Sequence, residues 1–328
     1  MKSLQLTGFG NPAEVVTLSE LALADPGPGE VLVQLEAAPI NPSDLMLIAG
    51  VYGVRPDLPA ALGAEGVGRI VAIGDGVDAS RVGERVIVLP RLTHATWREQ
   101  TILDQDNAVP VDRDADRLQL AMLGINPATA HVMLHGYTEL EPGAWVAQTG
   151  ASSATAGYVL ALAKHAGLRT LSVVRRADAV KPLLEAGSDV VLVEGDDLHR
   201  QAADALGHDR LELILDAVGG EPVAQLAKLM KVGGHVVSYT SRELQPVKIP
   251  VGDLIFRGIN VHGFWLKNWL DATQPAEIFQ TYRQLAALVA NGALSAPVEA
   301  TYALEDHRAA LEHATRNGRH GKVLFTLE

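Results

Sequence analysis

Residues 144–176, AWVAQTGASSATAGYVLALAKHAGLRTLSVVRR, constrain the fold of this chain more than any other stretch. Residues 145–148 are a short apolar run of strand formers. Gly150, Ala151, Ser152 and Ser153 then make a turn of small residues. Residues 158–163 give an apolar helix that Gly167 closes. Residues 171–174 form a second strand, which ends in Arg175 and Arg176. Strand, tight turn, helix and strand in this order make a parallel unit. A first turn of small residues lets such a unit seat a pyrophosphate. The helix N-terminus offers free N–H groups and the positive end of its dipole, and small side chains admit the phosphate.

The spacing departs from G-x-G-x-x-G. Ala154 and Ala156 stand where glycines are expected, and Gly150 and Gly157 remain. An α/β unit without a ligand is therefore an open alternative for this stretch taken alone. If a dinucleotide binds, Ser152, Ser153, Ala154 and Thr155 are the contacts on the turn. Arg175 bears on which dinucleotide. The end of the second strand reads the adenosine ribose: an acid there binds the 2′-hydroxyl of NAD, and an arginine accommodates the 2′-phosphate of NADP. No acid occupies that strand end, and Asp178 comes only later. The expected cofactor is NADPH.

With 328 residues, of which 48% are hydrophobic, the chain has material for about two domains with buried cores. A net charge of −12 without a long basic run argues against nucleic acid or an anionic membrane as partner. No apolar run approaches a membrane-spanning length. The N-terminal MKSLQLTGFG lacks the apolar core of a signal peptide. There is no cysteine, which excludes disulfides and thiolate metal sites and leads us to expect a cytoplasmic protein.

Residues 1–123 read as mainly β. Strand-like runs at 4–7, 30–36, 68–73 and 85–88 are separated by turn clusters such as DPGPGE and GDGVDAS, which suggests a small barrel or sandwich. Asn126-Pro127 opens a helix over 128–135. Strand-like segments at 145–148, 171–174, 190–193, 213–215 and 235–239 then alternate with helices, with 261–266 as a sixth. That alternation predicts an α/β fold with a doubly wound parallel sheet. Beyond residue 272 we expect helices at 277–290 and 304–315, a loop between them, and a last strand at 322–327.

The motifs AAPINPSDLMLIAGVYG, GAEGVGRIVAIG, GINPATA, VGGHVVSYT and RGINVHGFWLKNW, with the unit from Val146 to Arg175, run through essentially the whole chain. In them the sequence resembles the medium-chain dehydrogenase/reductase superfamily, and most of all its zinc-free mitochondrial-type 2-enoyl thioester reductases, close to the quinone oxidoreductase branch. The resemblance implies a GroES-like catalytic domain (residues 1–123 and 267–328) and a Rossmann NADP-binding domain (residues 124–266). It also implies a homodimer formed by strand addition around residues 261–266.

Zinc alcohol dehydrogenases of the superfamily place a cysteine where this chain has Asn41 or Pro42, and a histidine where it has Ala64. With no thiolate, a catalytic zinc has too few ligands, and we expect no metal. His131 and His135 are spaced as in HExxH, but the glutamate is missing, so a structural pair is the better reading. Without a metal Lewis acid, reduction of a conjugated double bond is favoured over alcohol oxidation, because the substrate itself delocalises the added charge. Tyr52, between Gly50 and Gly53, is the catalytic candidate. A phenol, with a reference pKa of about 10, is neutral at pH 7 and can donate a proton or hydrogen bond without bringing charge into an apolar site.

By resemblance, Asn41 lies near the nicotinamide ribose and the substrate, and Asn126 and Thr129 of GINPATA contact the cofactor. Asp44 is either part of that site or a cap for a helix over 45–49. Val218, Tyr239 and Thr240 follow strand ends, where open α/β sheets bind ligands. The resemblance lets Lys322 reach the cofactor phosphates, with a solvated lysine as the alternative. It places Phe264 and Trp265, beside Trp269, near the substrate pocket, although such a cluster also reads as core. Arg55, Arg91 and Arg98 are the basic residues available to an acyl-carrier partner. His94 has no assignment. The functional expectation is NADPH-dependent reduction of a trans-2-enoyl thioester. A quinone or small-enone reductase of the same fold, or a non-catalytic NADP-binding sensor, are the alternatives.

Overall fold

The computed structural model describes the chain except residues 23, 93–94, 112–113, 242–244, 317 and 328; His94 thus lies outside the described residues. The chain divides into two compact units, Met1–Ala128 with Trp269–Glu328, and Thr129–Asn268.

The first unit is built on Glu30–Pro39, a ten-residue strand whose alternate residues Val31, Val33, Leu35 and Ala37 are fully buried. This period of two turns one face of the strand to the core. Gly66–Ile73 pairs with it antiparallel, and Arg85–Val88 and Ala108–Pro110 continue the sheet. Gln100–Asp104 also pairs with Glu30–Pro39. On the other flank lies Lys322–Thr326, antiparallel to Glu30–Pro39, followed by Val298–Tyr302 in parallel. The early strands thus recruit one from the end of the chain. A three-stranded sheet of Val16–Glu20, Lys2–Leu6 and Ala60–Ala61 completes the unit. Trp97, fully buried, packs edge-on against Phe325 and donates from Nε1 to Pro39 O at 3.1 Å.

The second unit is a six-stranded parallel sheet in the spatial order Val190–Val193, Arg169–Val174, Trp145–Gln148, Leu211–Asp216, Met230–Ser238, Asn260–Gly263. The order runs outward in both directions from its first strand, so the winding reverses between Trp145–Gln148 and Leu211–Asp216. Ligands bind beyond the carboxyl ends of strands at such a reversal. The helix Ala154–His165 crosses from the first strand to the second. Ser153 caps it by accepting from Ala156 N at 3.2 Å, and Lys164 and His165 complement the dipole at its far end. Ala156, Val159, Leu160 and Ala163 are buried, which is the helical spacing of a face laid against a sheet.

Two segments differ from the reading of the sequence. Asn260–Gly263 is the sixth strand, but residues 264–266 do not extend it. A helix, Leu266–Ala272, begins instead. Leu266 and Leu270, four apart, are both buried, and that helical period prevails over the β-forming aromatics before it. Val298–Tyr302, expected as loop, is a strand because Lys322–Thr326, remote in sequence, supplies its pairing partner.

Gly68 marks the closest approach within the first unit's sheet. A Cβ there would stand 2.3 Å from Gln34 O and 2.7 Å from Val33 Cγ1. Gly68→Ala is expected to cost about 1–3 kcal/mol, read as a lower midpoint in urea denaturation.

Candidate active site

The first unit gathers a cluster of polar and charged side chains drawn from five distant parts of the chain. Asn41 is the N-cap of the helix Pro42–Ile48, where Pro42 supplies the fixed φ of a first helical turn. Asp44, in the third position of that helix, reaches back so that its Oδ2 accepts from Asn41 N at 2.8 Å. Asp44 is thus part of the cap; the helix starts earlier than 45–49, the range for which it was weighed as a cap. Glu65 stands just before the strand Gly66–Ile73 and is fully buried. Its Oε1 accepts from Asn41 Nδ2, and its Oε2 from Ile125 N, each at 2.7 Å. Lys322, 6% exposed, opens the last strand and donates from Nζ to Asn41 Oδ1. Asn126 Nδ2 donates to the same oxygen at 3.4 Å. Tyr282, buried on the helix Pro275–Ala290, donates to Gly124 O at 2.6 Å.

Burial dominates the titration of these groups. It pushes the Asp44 carboxyl up to about 7, reinforced by Glu65 and opposed by the Asn41 N–H and by Lys322. It also raises Glu65, against the pull of Lys322 and of its hydrogen-bond donors. Lys322 is lowered by the same cause and supported by Glu65 and Asp44. Opposite charges and fixed dipoles thus oppose the desolvation of each ionised group without cancelling it.

Tyr52 lies on the loop that follows the helix Pro42–Ile48 and is half-buried. Gly50 brings the loop out of the helix at φ +76°, where an added Cβ would stand 3.2 Å from the Phe9 ring. Of the arginines considered for a carrier partner, Arg91 is tied to Leu270 O at 2.7 Å and to Asp271, and Arg98 is largely buried, which lowers its pKa. Arg55 is exposed and stacks over Phe9 at 4.1 Å.

In the second unit the turn after Trp145–Gln148 carries Gly150 at φ +60°, and a Cβ there would come within 3.2 Å of Ala217 Cβ. Ser152 and Ser153 are exposed, and Ala154 and Thr155 begin the helix half-buried. Ala156 is fully buried in the helix–sheet packing, so a methyl fits where the usual motif has glycine. Across the winding reversal, Thr149 Oγ1 donates to Asp216 Oδ1 at 2.7 Å. The same carboxylate oxygen accepts from Val218 N and Gly219 N, which fixes the turn that carries Val218. Tyr239 and Thr240 follow Met230–Ser238. The Tyr239 hydroxyl shares a hydrogen bond with the Ser153 side chain, and loss of water around it pushes it up to about 12. Arg175 is exposed just beyond Arg169–Val174. Thr129 is buried on the helix Asn126–His135. Phe264 and Trp265 are half-buried in the link before Leu266–Ala272, with Lys267 Nζ 5.9 Å from the Trp265 ring centroid.

Two family models match: the alcohol dehydrogenase GroES-like domain over residues 27–113 and the zinc-binding dehydrogenase over residues 155–291. The mitochondrial enoyl-[acyl-carrier-protein] reductase of Caenorhabditis elegans is 36% identical over 95% of this chain and 91% of its own length. The chain belongs to the enoyl reductase branch of the medium-chain dehydrogenase/reductase superfamily. Its fold matches a Bacillus thuringiensis protein described as an NADPH:quinone reductase, with a TM-score of 0.90 and 27% identity over 100% of this chain and 99% of that one. It also matches the Etr1p complex with NADP and crotonyl-CoA, with a TM-score of 0.85 and 25% identity over 99% of each chain.

The expectation of a cytoplasmic location is contradicted by the curated relatives, since the enoyl-[acyl-carrier-protein] reductases of Caenorhabditis elegans and Bos taurus are both named as mitochondrial. Absence of cysteine removes the need for an oxidising compartment but carries no address. Zinc, named in the second family model, finds no fitting donor set. Ala64 offers no ligand atom, and the Asn41 amide is taken by Glu65 and Lys322. Among the described residues no group of three His, Cys, Asp or Glu side chains could hold a metal. In the spaced pair, His135 Nδ1 donates to His131 O at 2.8 Å, and burial lowers His131 to about 4.

Glu65, Tyr282 and the ordering role of Asp216 were not singled out from the sequence. A lone glutamate leading into the apolar run GVGRIVAI was the available sign for Glu65. The raised pKa of Asp44 sets a pH dependence. Its folded value lies above its unfolded one, so the stabilisation is complete below the unfolded pKa and is lost as pH rises towards 7. Asp44→Asn is therefore expected to gain stability over the parent chain at pH 8 and to lose that advantage at pH 5, measured by chemical denaturation at both.

Proposed function

We propose that this chain reduces an activated carbon–carbon double bond with NADPH and without a metal, and that its substrate is a trans-2-enoyl thioester. The observation that carries this reading is the 36% identity to an enoyl-[acyl-carrier-protein] reductase across 95% of the chain. The unit Thr129–Asn268 is the NADP-binding domain, and the unit Met1–Ala128 with Trp269–Glu328 is the catalytic one.

The residues of the second unit suit a dinucleotide. Gly150 leaves the turn free of a side chain, Ser152, Ser153, Ala154 and Thr155 line the helix start, and the dipole of a twelve-residue helix favours an anion there. Val218, Tyr239 and Thr240 stand at the carboxyl ends of the strands, and Arg175 offers its guanidinium to a 2′-phosphate. NADPH, when bound, supplies the hydride. The Tyr52 phenol donates a hydrogen bond from its hydroxyl to the enolate oxygen or gives its proton to the α-carbon. On this reading Asn41 lies near the nicotinamide ribose and the substrate, Asn126 and Thr129 contact the cofactor, and Phe264 and Trp265 contact the substrate.

A quinone substrate is the second reading, favoured by the TM-score of 0.90 to the protein described as a quinone reductase. We also propose a homodimer through Asn260–Gly263. This strand lies at the sheet's edge, and the nearby Val251, Ile255, Phe256 and Val261 are exposed.

NADPH absorbance followed with crotonyl-CoA and with 1,4-benzoquinone separates the two substrates. Faster turnover of the quinone would displace the thioester reading. Tyr52→Phe should lower kcat on crotonyl-CoA about 100-fold or more, within the range of general acid catalysis, while NADPH binding measured by fluorescence persists; a fully active variant would remove Tyr52 from the mechanism. Arg175→Ala should weaken NADPH far more than NADH in the same binding assay. An equal loss for both would contradict the 2′-phosphate role.

A further inference from the structure

The reaction proposed above uses neither Glu65 nor Lys322, yet both are buried and both engage Asn41. The Asn41 carboxamide is held at its two ends. Nδ2 donates to the Glu65 carboxylate, and Oδ1 accepts from the Lys322 ammonium. Turned by 180°, the amide would set its NH2 against a cation and its carbonyl against an anion. A single orientation therefore satisfies both charges.

The same carboxylate governs the neighbouring segment. Glu65 Oε2 grips the N–H of Ile125, and the next residue, Asn126, donates to Asn41 Oδ1. Tyr282 holds Gly124 O from the other side. Gly124 has no room for a side chain, since a Cβ would stand 3.0 Å from both Cβ and Oε2 of Glu65. Ile125 and Asn126 are half-buried, whereas Glu65, Lys322 and Asn41 are buried. Glu65, Lys322 and Asn41 thus form the closed end of the cluster, and Asn126, which donates to Asn41, lies towards its accessible end. Apolar residues of similar volume would stabilise this interior about as well as a buried pair of charges. What they could not do is define the direction of an amide.

We propose that Glu65 and Lys322 are positioning residues, which hold the Asn41 carboxamide in one orientation and through it set the geometry that the first unit offers its substrate. The identity of that substrate rests on the enoyl reductase reading; the orientation of Asn41 does not. Neither residue touches the substrate, and both act through Asn41.

Glu65→Asp keeps the charge but withdraws the carboxylate by one methylene. The Glu65→Gln/Lys322→Gln double variant removes both charges together and leaves the interior neutral. The side-chain NH2 resonances of Asn41 in a 15N spectrum, assigned by their loss in Asn41→Asp, report the amide directly. In the parent chain they should exchange slowly with solvent. In both variants they should shift and exchange fast, with kcat on crotonyl-CoA falling up to about 100-fold, the scale of a misplaced active-site group, while the thermal midpoint of the double variant stays near that of the parent. Unchanged resonances and kcat in Glu65→Asp would overturn the proposal, as would a double variant that keeps the parent's kcat as well as its thermal midpoint. Should the double variant not fold, Glu65→Asp decides alone. Should the parent chain reduce no enoyl thioester, the functional reading falls, and the Asn41 resonances still decide the positioning.

Discussion

A carboxylate buried without access to water organises the first unit. Removing such a charge from solvent costs several kcal/mol unless donors and an opposite charge replace the lost hydration. Glu65 obtains them from an amide at position 41, a backbone N–H at 125 and a lysine at 322. Meeting those needs requires the helix Pro42–Ile48 to start where it does, the chain to pass Glu65 at position 124 without a side chain, and its last strand to come back to its third. Lys322 lies 281 residues from Asn41, so the closure of the unit and the pairing of its charges are one event.

The second unit solves a different problem with a similar economy. Its sheet reverses its winding at the strands ending in Gln148 and Asp216, and the bond from Thr149 to Asp216 ties the two sides of that reversal. The carboxylate then orders the turn at 217–219, while Ser153 orders the start of the facing helix. The turn keeps its form although two glycines of the usual motif are alanines. Ala156 points into the helix–sheet contact, where a methyl contributes packing, and the one position that does need glycine, Gly150 at φ +60°, has it. At Ala156 the departure from the usual motif is thus a core substitution, while Ala154 begins the helix half-buried.

The parallel strands of the second unit were legible as apolar runs between turn residues. Trp145–Gln148 and Val190–Val193 were read with their observed limits, as was the antiparallel strand Arg85–Val88 of the first unit. Segments that depend on distant partners were not. Val298–Tyr302 buries no residue fully and becomes a strand only by pairing with Lys322–Thr326. Residues 264–266 carry aromatics that read as strand, and the burial of Leu266 and Leu270 decides for a helix. At the site, Asn41, Asn126 and Lys322 were each picked out for contact with a cofactor. That they meet one another around Glu65 was not visible, because hydrogen bonds across 24, 85 or 281 residues leave no local pattern.

The sequence by itself determined the α/β unit at 144–176, the absence of thiolate chemistry, an alanine at position 64 and an arginine just past the second strand of that unit. These are local facts of periodicity, residue type and spacing. The tertiary structure alone decided which buried charges are compensated, which way the Asn41 amide faces, and where glycine is indispensable. Those outcomes turn on electrostatics and close packing between segments that only the folded chain brings together.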